Sequence, residues 1–181
     1  MISYKCLESS NVPKYRESIR LKCEWGDKMD KKSIINENLI KLDLRVNNRE
    51  EAIKELALLL EKEKRVESAN SFIESVQYRE SIASTYCGFE IAIPHGISST
   101  VKEASLCFCR VNGFNWTEDE EDHVRFIFLI AIPENKSEEE DTHLEILSSM
   151  AKLCLLEDVR NKWETAKTSE DILDSIFNNI E

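Results

Sequence analysis

The chain has 181 residues, with 24 Lys or Arg against 35 Asp or Glu, a formal charge of −11 at pH 7. This length suits one domain, and 41% hydrophobic residues close a core, which excludes disorder as the main state; only four Gly and three Pro exclude collagen-like sequence. The acid excess, with no Lys/Arg stripe, argues against nucleic acid or an anionic membrane surface as partner and favours encounter with a basic protein.

The longest apolar run, residues 126–133, is far short of the ~20 residues that span a bilayer. The N-terminus lacks a secretory hydrophobic stretch. The six cysteines, at 6, 23, 87, 107, 109 and 154, show no regular spacing and no C-x-x-C pair. They read as buried thiols of a cytoplasmic protein.

Residues 1–37 carry weak periodicity and read as an N-terminal extension, with the main domain over residues 38–181. Within the extension, residues 1–8 read as a short strand, Asn11-Val12-Pro13 as a turn, residues 14–24 as a poor helix and Gly26-Asp27 as a break. From Ser33 the signals sharpen. Leu42, Leu44 and Val46 alternate with Asp43 and Arg45, a strand pattern. Asn48 and Glu51 have capping-box spacing at the head of a helix whose buried face is Ile53, Leu56, Ala57 and Leu60. A second helix starts near Ser68, with a stripe of Phe72, Ile73 and Val76 and with Arg79-Glu80 near its end.

Ile91-Ala92-Ile93 reads as a strand running into a turn at Pro94-His95-Gly96, and residues 106–111 as another strand. Residues 126–132 are continuously apolar and predict a central strand covered on both faces. The acidic stretches 118–122 and 138–141 read as solvated loops. Thr142 is expected to cap a helix from His143 that carries Leu144, Leu147, Met150, Ala151 and Cys154. Asp158 opens a short helix with Val159 and Trp163, and Ser169 a last one with Ile172, Leu173, Ile176 and Ile180. Interleaved strands and helices make the class α/β.

Three histidines carry most of the candidate chemistry. His95 lies between a φ-fixing proline and a small residue that lets another group approach, a placement suited to a nucleophile or proton carrier. His143 at a helix start could meet an anion, and the planar fork of Arg79 matches phosphate oxygens. Against these stand plainer readings: a polar loop histidine, a solvent-facing arginine, and a structural His123 beside the acidic loop. No H-x-x-x-H or Cys/His cluster supports zinc, and no nucleophile elbow, P-loop or dinucleotide fingerprint is present. Cys107 and Cys109 share one face of a strand in the core, and nothing orients a Cys87–His95 dyad.

Taken together, Arg79-Glu80-Ser81-Ile82-Ala83-Ser84-Thr85, then Ile91-Ala92-Ile93-Pro94-His95-Gly96, the strand 126–134 and His143-Leu144-Glu145-Ile146-Leu147 resemble the fructose/mannitol-type enzyme IIA domains of the bacterial sugar phosphotransferase system. The resemblance covers residues 33–181. It implies a single domain with a mixed β-sheet flanked by helices on both faces and no cofactor or metal. It implies that His95 accepts a phosphoryl group from the phosphocarrier HPr, or an HPr-like domain, and passes it to a cysteine of a IIB component. Arg79 and His143 then match the residues that stabilise the phosphoryl group. The alternative is a regulatory module whose His95 phosphorylation state gates binding to another protein. The glycine-rich loop usual before the A-I-P-H-G strand is here Tyr86-Cys87-Gly88-Phe89-Glu90, which is expected to reshape the rim of the site, with Glu90 repelling an incoming phosphoryl group.

Overall fold

A computed structural model of the chain describes residues 31–119, 121–134 and 139–180, without the side chains of 31, 32 and 139–144. The expectations for residues 1–30 lie outside the described residues. A short helix α1 (Lys31–Ile34) and a 3-10 turn (Glu37–Leu39) lead into strand β1 (Ile40–Leu44). Helices α2 (Arg49–Lys62) and α3 (Ala69–Ile82) follow, then strands β2 (Tyr86–Gly88), β3 (Ile91–Ala92), β4 (His95–Ser98), β5 (Ser105–Asn115) and β6 (His123–Pro133). Helices α4 (Glu139–Leu155), α5 (Glu157–Thr165) and α6 (Ser169–Phe177) complete the described chain. Ile34 and Ile35 are buried with the core, which therefore begins ahead of residue 38.

The sheet runs β1-β5-β6-β3-β2, with β4 also paired to β6. It is mixed: β1/β5, β3/β6 and β4/β6 are parallel, and β5/β6 and β2/β3 antiparallel. The apolar run 126–132 makes β6 the hub, as its lack of alternation predicts for a strand covered on both faces. On one face Phe108, Phe126 and Phe128 gather around Trp163 of α5, with ring centroids 5.0–6.3 Å apart. Helices α2 and α3 pack together on the other.

Local chemistry explains the helix starts. The Asn48 side chain accepts from Glu51 N–H at 2.8 Å, but the Glu51 carboxylate reaches one residue further back, to Asn47 N–H. The Ser68 hydroxyl caps α3. Thr168, one residue before the expected Ser169, forms a reciprocal capping box with Asp171. Helix α4 begins before the expected Thr142: Glu139, Glu140 and Asp141 occupy its first turn and not a solvated loop. Acidic residues are favoured in the first turn of a helix by its dipole, which accounts for the earlier start.

Candidate active site

The expected turn at Pro94 is absent. Ile91 pairs with Phe126 and His95 with Ile130, a constant offset of 126 − 91 = 130 − 95 = 35, so β3 and β4 form one line along β6 interrupted at Ile93-Pro94. Proline has no N–H, yet its carbonyl still accepts from Ile130 N–H at 3.0 Å, which holds the register. His95 is thus fixed by a strand.

Gly96 serves a close approach and not a turn. A Cβ there would lie 2.4 Å from Ser75 Oγ, 2.9 Å from Val76 Cγ2 and 3.1 Å from Val76 N. The missing side chain brings α3 onto β4 one turn before Arg79. By strand alternation His95 and Ile97 share the other face.

Arg79 and His95 meet. Arg79 Nε donates to His95 Nε2 at 3.0 Å, and Arg79 Nη1 donates to the Ala83 carbonyl at 2.9 Å. His95 Nδ1 lies 3.0 Å from the Ile93 carbonyl. A carbonyl only accepts and a guanidinium N–H only donates, so Nδ1 carries the proton and Nε2 presents a lone pair. The residue is 8% exposed. Burial first, and the Arg79 charge second, hold its pKa below the ordinary 6.5, against opposing contributions from the Ile93 carbonyl and Glu80. The imidazole is therefore neutral near pH 7, sunk in the surface and not held out in solvent.

Glu80 is the residue that sequence reasoning missed. Its buried carboxylate accepts from Thr85 N–H at 3.0 Å, Thr85 Oγ1 at 2.6 Å and Trp116 Nε1 at 2.7 Å, with Arg49 Nη1 at 3.7 Å. The Thr85 carbonyl in turn accepts from Ile93 N–H at 3.0 Å. Glu80 so ties the end of α3 to the strand that carries His95. Its signal was present: 80 is in phase with the buried 72 and 76 on the α3 stripe.

His143 lies four residues into α4, past the unpaired N–H groups of the first turn, so the expected backbone anion site is not at that residue; its side chain lies outside the described residues. His123 sits at the strand edge with Nδ1 3.3 Å from Glu90 Oε1. Glu90 thus faces His123. The hairpin holding it is unusual: Gly88, Phe89 and Glu90 all have positive φ (85°, 53° and 61°). Cys87 does not pair with His95; its thiol donates to the Ile91 carbonyl, and the neighbouring Cys154 thiol holds its pKa below the ordinary range. Cys107 and Cys109 are buried, which pushes both thiols up. No group of three or more His, Cys, Asp or Glu among the described residues could hold a metal ion.

A neutral imidazole with its lone pair against a guanidinium, on an I-P-H-G strand, has the chemistry to act as a nucleophile toward an anionic group. The family model for the phosphoenolpyruvate-dependent sugar phosphotransferase system, EIIA 2, matches residues 33–179. The chain belongs to this family. A mannitol-specific phosphotransferase enzyme IIA component from Geobacillus stearothermophilus is 34% identical, over 81% of this chain and 97% of its own length. A fructose-specific EIIA component from Haloferax volcanii is 28% identical, over 86% and 99%. The chain spans only 22% of the 2-O-alpha-mannosyl-D-glycerate-specific EIIABC component of Escherichia coli, to which it is 29% identical. Among solved structures, the nitrogen regulatory protein IIA-Ntr from Neisseria meningitidis superimposes with a TM-score of 0.72 at 30% identity, over 80% of this chain and 97% of that one. IIA mannitol from Escherichia coli shares the fold, with a TM-score of 0.68 at 24% identity over 78% and 98%.

Proposed function

We propose that this EIIA domain relays phosphoryl groups through His95 Nε2, taking them from HPr or an HPr-like domain and passing them to a cysteine of a cognate IIB component. The observation that carries the reading is the Arg79 Nε to His95 Nε2 bond at 3.0 Å beside an Nδ1 tied to a carbonyl. Transfer of this kind needs positioning and charge stabilisation more than covalent machinery.

In the first step the donor's N–P bond breaks as the His95 Nε2–P bond forms. The Nδ1 proton stays on the ring, held by Ile93 O. Arg79 must leave Nε2 for attack to occur. Its Nη1 remains on Ala83 O, and Nη2, which has no partner among the described residues, turns with Nε toward the phosphoryl oxygens. His143, as the counterpart of the family's second histidine, would share that charge. In the second step the N–P bond breaks, an S–P bond forms on the IIB cysteine thiolate, and Arg79 returns to Nε2.

Large apolar side chains are exposed on α3 and β4, the two elements that carry Arg79 and His95: Tyr78 is 72% exposed, Ile82 66% and Ile97 51%. Such a surface suits protein partners that dock face to face. No described helix is long and apolar enough to cross a membrane, which fits a cytoplasmic relay working on carriers.

The test is transfer of label from phosphoenolpyruvate through enzyme I and HPr. Wild type takes label and His95→Gln does not; equal labelling of the two refutes the assignment. Arg79→Ala slows labelling with the fold intact. The likeness to a nitrogen regulatory IIA favours a second reading, in which the phosphorylation state of His95 gates binding to another protein. Failure of the labelled protein to pass its phosphoryl group to any IIB selects that reading.

A further inference from the structure

Far from His95, three arginines line one pocket of roughly 330 Å³ in a chain of net charge −11: Arg45, Arg110 and Arg125, with Asp43, Val111 and Asn112. Two strand irregularities build it. β1 shifts register between Lys41 and Leu44, where Asp43 has φ 58°, and β5 shifts between Arg110 and Phe114, where Gly113 has φ 94°. Bulges of this kind re-aim side chains and recur beside binding sites.

The three guanidiniums differ in what they have left to offer. Arg110 is fixed: its side chain is 10% exposed, and Nη1 donates to the carbonyls of Trp163, Glu164 and Ala166 at 2.8–2.9 Å. Its Nε and Nη2 both rest on one oxygen of Asp43, whose side chain is 77% exposed and is free to swing into water. Arg125 gives Nη2 to Glu164 and keeps Nε and Nη1. Arg45 is exposed and has no carboxylate partner among the described residues. The Asn112 side-chain carbonyl accepts from Val46 N–H, which leaves its NH₂ as a further donor.

We propose that this pocket binds a phosphomonoester of a small molecule. Planar forks lining one pocket match the oxygens of a dianionic phosphate, and displacement of one exposed carboxylate opens the Arg110 fork to it. The volume exceeds that of a bare phosphate and leaves space for an organic part. The site is not the phosphoryl-transfer site. Arg110 pairs with Phe126 and His95 with Ile130, four residues along β6 and two strands across, or about 16 Å at standard strand spacing, with the Trp163 cluster between them.

The test is an NMR titration of the arginine Nε–H signals of the full chain with glucose 6-phosphate, inorganic phosphate and glucose. Glucose 6-phosphate should shift Arg45, Arg110 and Arg125 saturably, and glucose should not. Arg45→Ala, an exposed position, should keep the fold and the melting temperature and weaken binding about tenfold, the loss of one charge-assisted contact. No saturable shift overturns the proposal. So do shifts confined to Arg79 and the His95 ring, binding of inorganic phosphate without glucose 6-phosphate, or unchanged affinity in Arg45→Ala. None of these outcomes depends on whether His95 takes label.

Discussion

Substitution of Gly96 by Ala tests the link between packing and site geometry. The new Cβ would meet Ser75 Oγ at 2.4 Å, Val76 Cγ2 at 2.9 Å and Val76 N at 3.1 Å. Ser75 Oγ is itself held on the Phe72 carbonyl at 2.8 Å, and Val76 N belongs to the helix backbone, so relief requires α3 to move off β4. Overpacking of this sort costs about 1–3 kcal/mol, and the gain from stiffening the unfolded chain returns roughly 0.4–1 kcal/mol. The net expectation is a loss of about 1–2 kcal/mol, or a melting temperature lower by roughly 2–8 °C for a domain of this size. Because Arg79 rides on α3, the 3.0 Å contact to His95 should lengthen as well, and labelling through HPr should slow more than stability alone explains at a temperature where the variant is folded. The added change Ser75→Ala removes the shortest contact and should restore part of the stability, a coupling that a double-mutant cycle reads directly. A melting temperature unchanged or raised in Gly96→Ala, with labelling at the wild-type rate, refutes the reasoning.

Four further outcomes follow from the same geometry. The folded His95 ring binds its proton less tightly than the unfolded chain does, so its contribution to stability is intact above pH 6.5 and is lost as pH falls through its lower folded value. NMR titration of the ring should show a midpoint below 6.5, and labelling should persist to correspondingly lower pH. Glu80→Gln offers one acceptor oxygen where three donors converge, and should cost about 1–3 kcal/mol in urea unfolding with a shift in tryptophan emission from Trp116. Glu90→Gly removes a left-handed residue that costs about 1–2 kcal/mol, partly offset by glycine's looser unfolded chain and the lost His123 pair, and should raise stability by up to about 1 kcal/mol. Iodoacetamide should modify Cys87 well before Cys107 and Cys109, read by peptide mass, since Cys87 alone of these is exposed and shifted toward the thiolate.

Sequence pattern captured those parts of the fold that depend on local periodicity. The unbroken apolar run 126–132 marked the central strand, and the stripes at 53–60 and 72–76 marked two helices, because each reports burial directly. The turn expected at Pro94 failed for a non-local reason: pairing to β6 recovers the register on both sides of the proline, and nothing within six residues of His95 carries that information. Helix α4 starts ahead of Thr142 because the first turn of a helix is where acids are most at home, a preference that an acidic run in the sequence does not separate from a solvated loop. Arg79 and His95 were separately legible as a fork and an imidazole, but their contact spans 16 residues and depends on Gly96 admitting α3.

The resting bond between Arg79 and His95 constrains how a relay on this site can work. In the proposed relay, the lone pair that attacks phosphorus is the one that Arg79 Nε occupies. Each acceptance step therefore begins by breaking a charge-assisted contact worth about 1.5–3 kcal/mol and ends by forming stronger ones between the same guanidinium and a phosphoryl dianion. Arg79→Lys separates these two duties. A lysine ammonium could still attract the anion, but it lacks the fork and the Nη1 anchor on Ala83 O that keeps the group in place while Nε lets go. Labelling rate should fall by more than tenfold while the melting temperature stays near wild type, the tenfold marking about 1.4 kcal/mol of lost transition-state stabilisation. A lysine variant labelled at the wild-type rate would show that charge alone suffices and that the anchored swing of Arg79 is no part of the transfer.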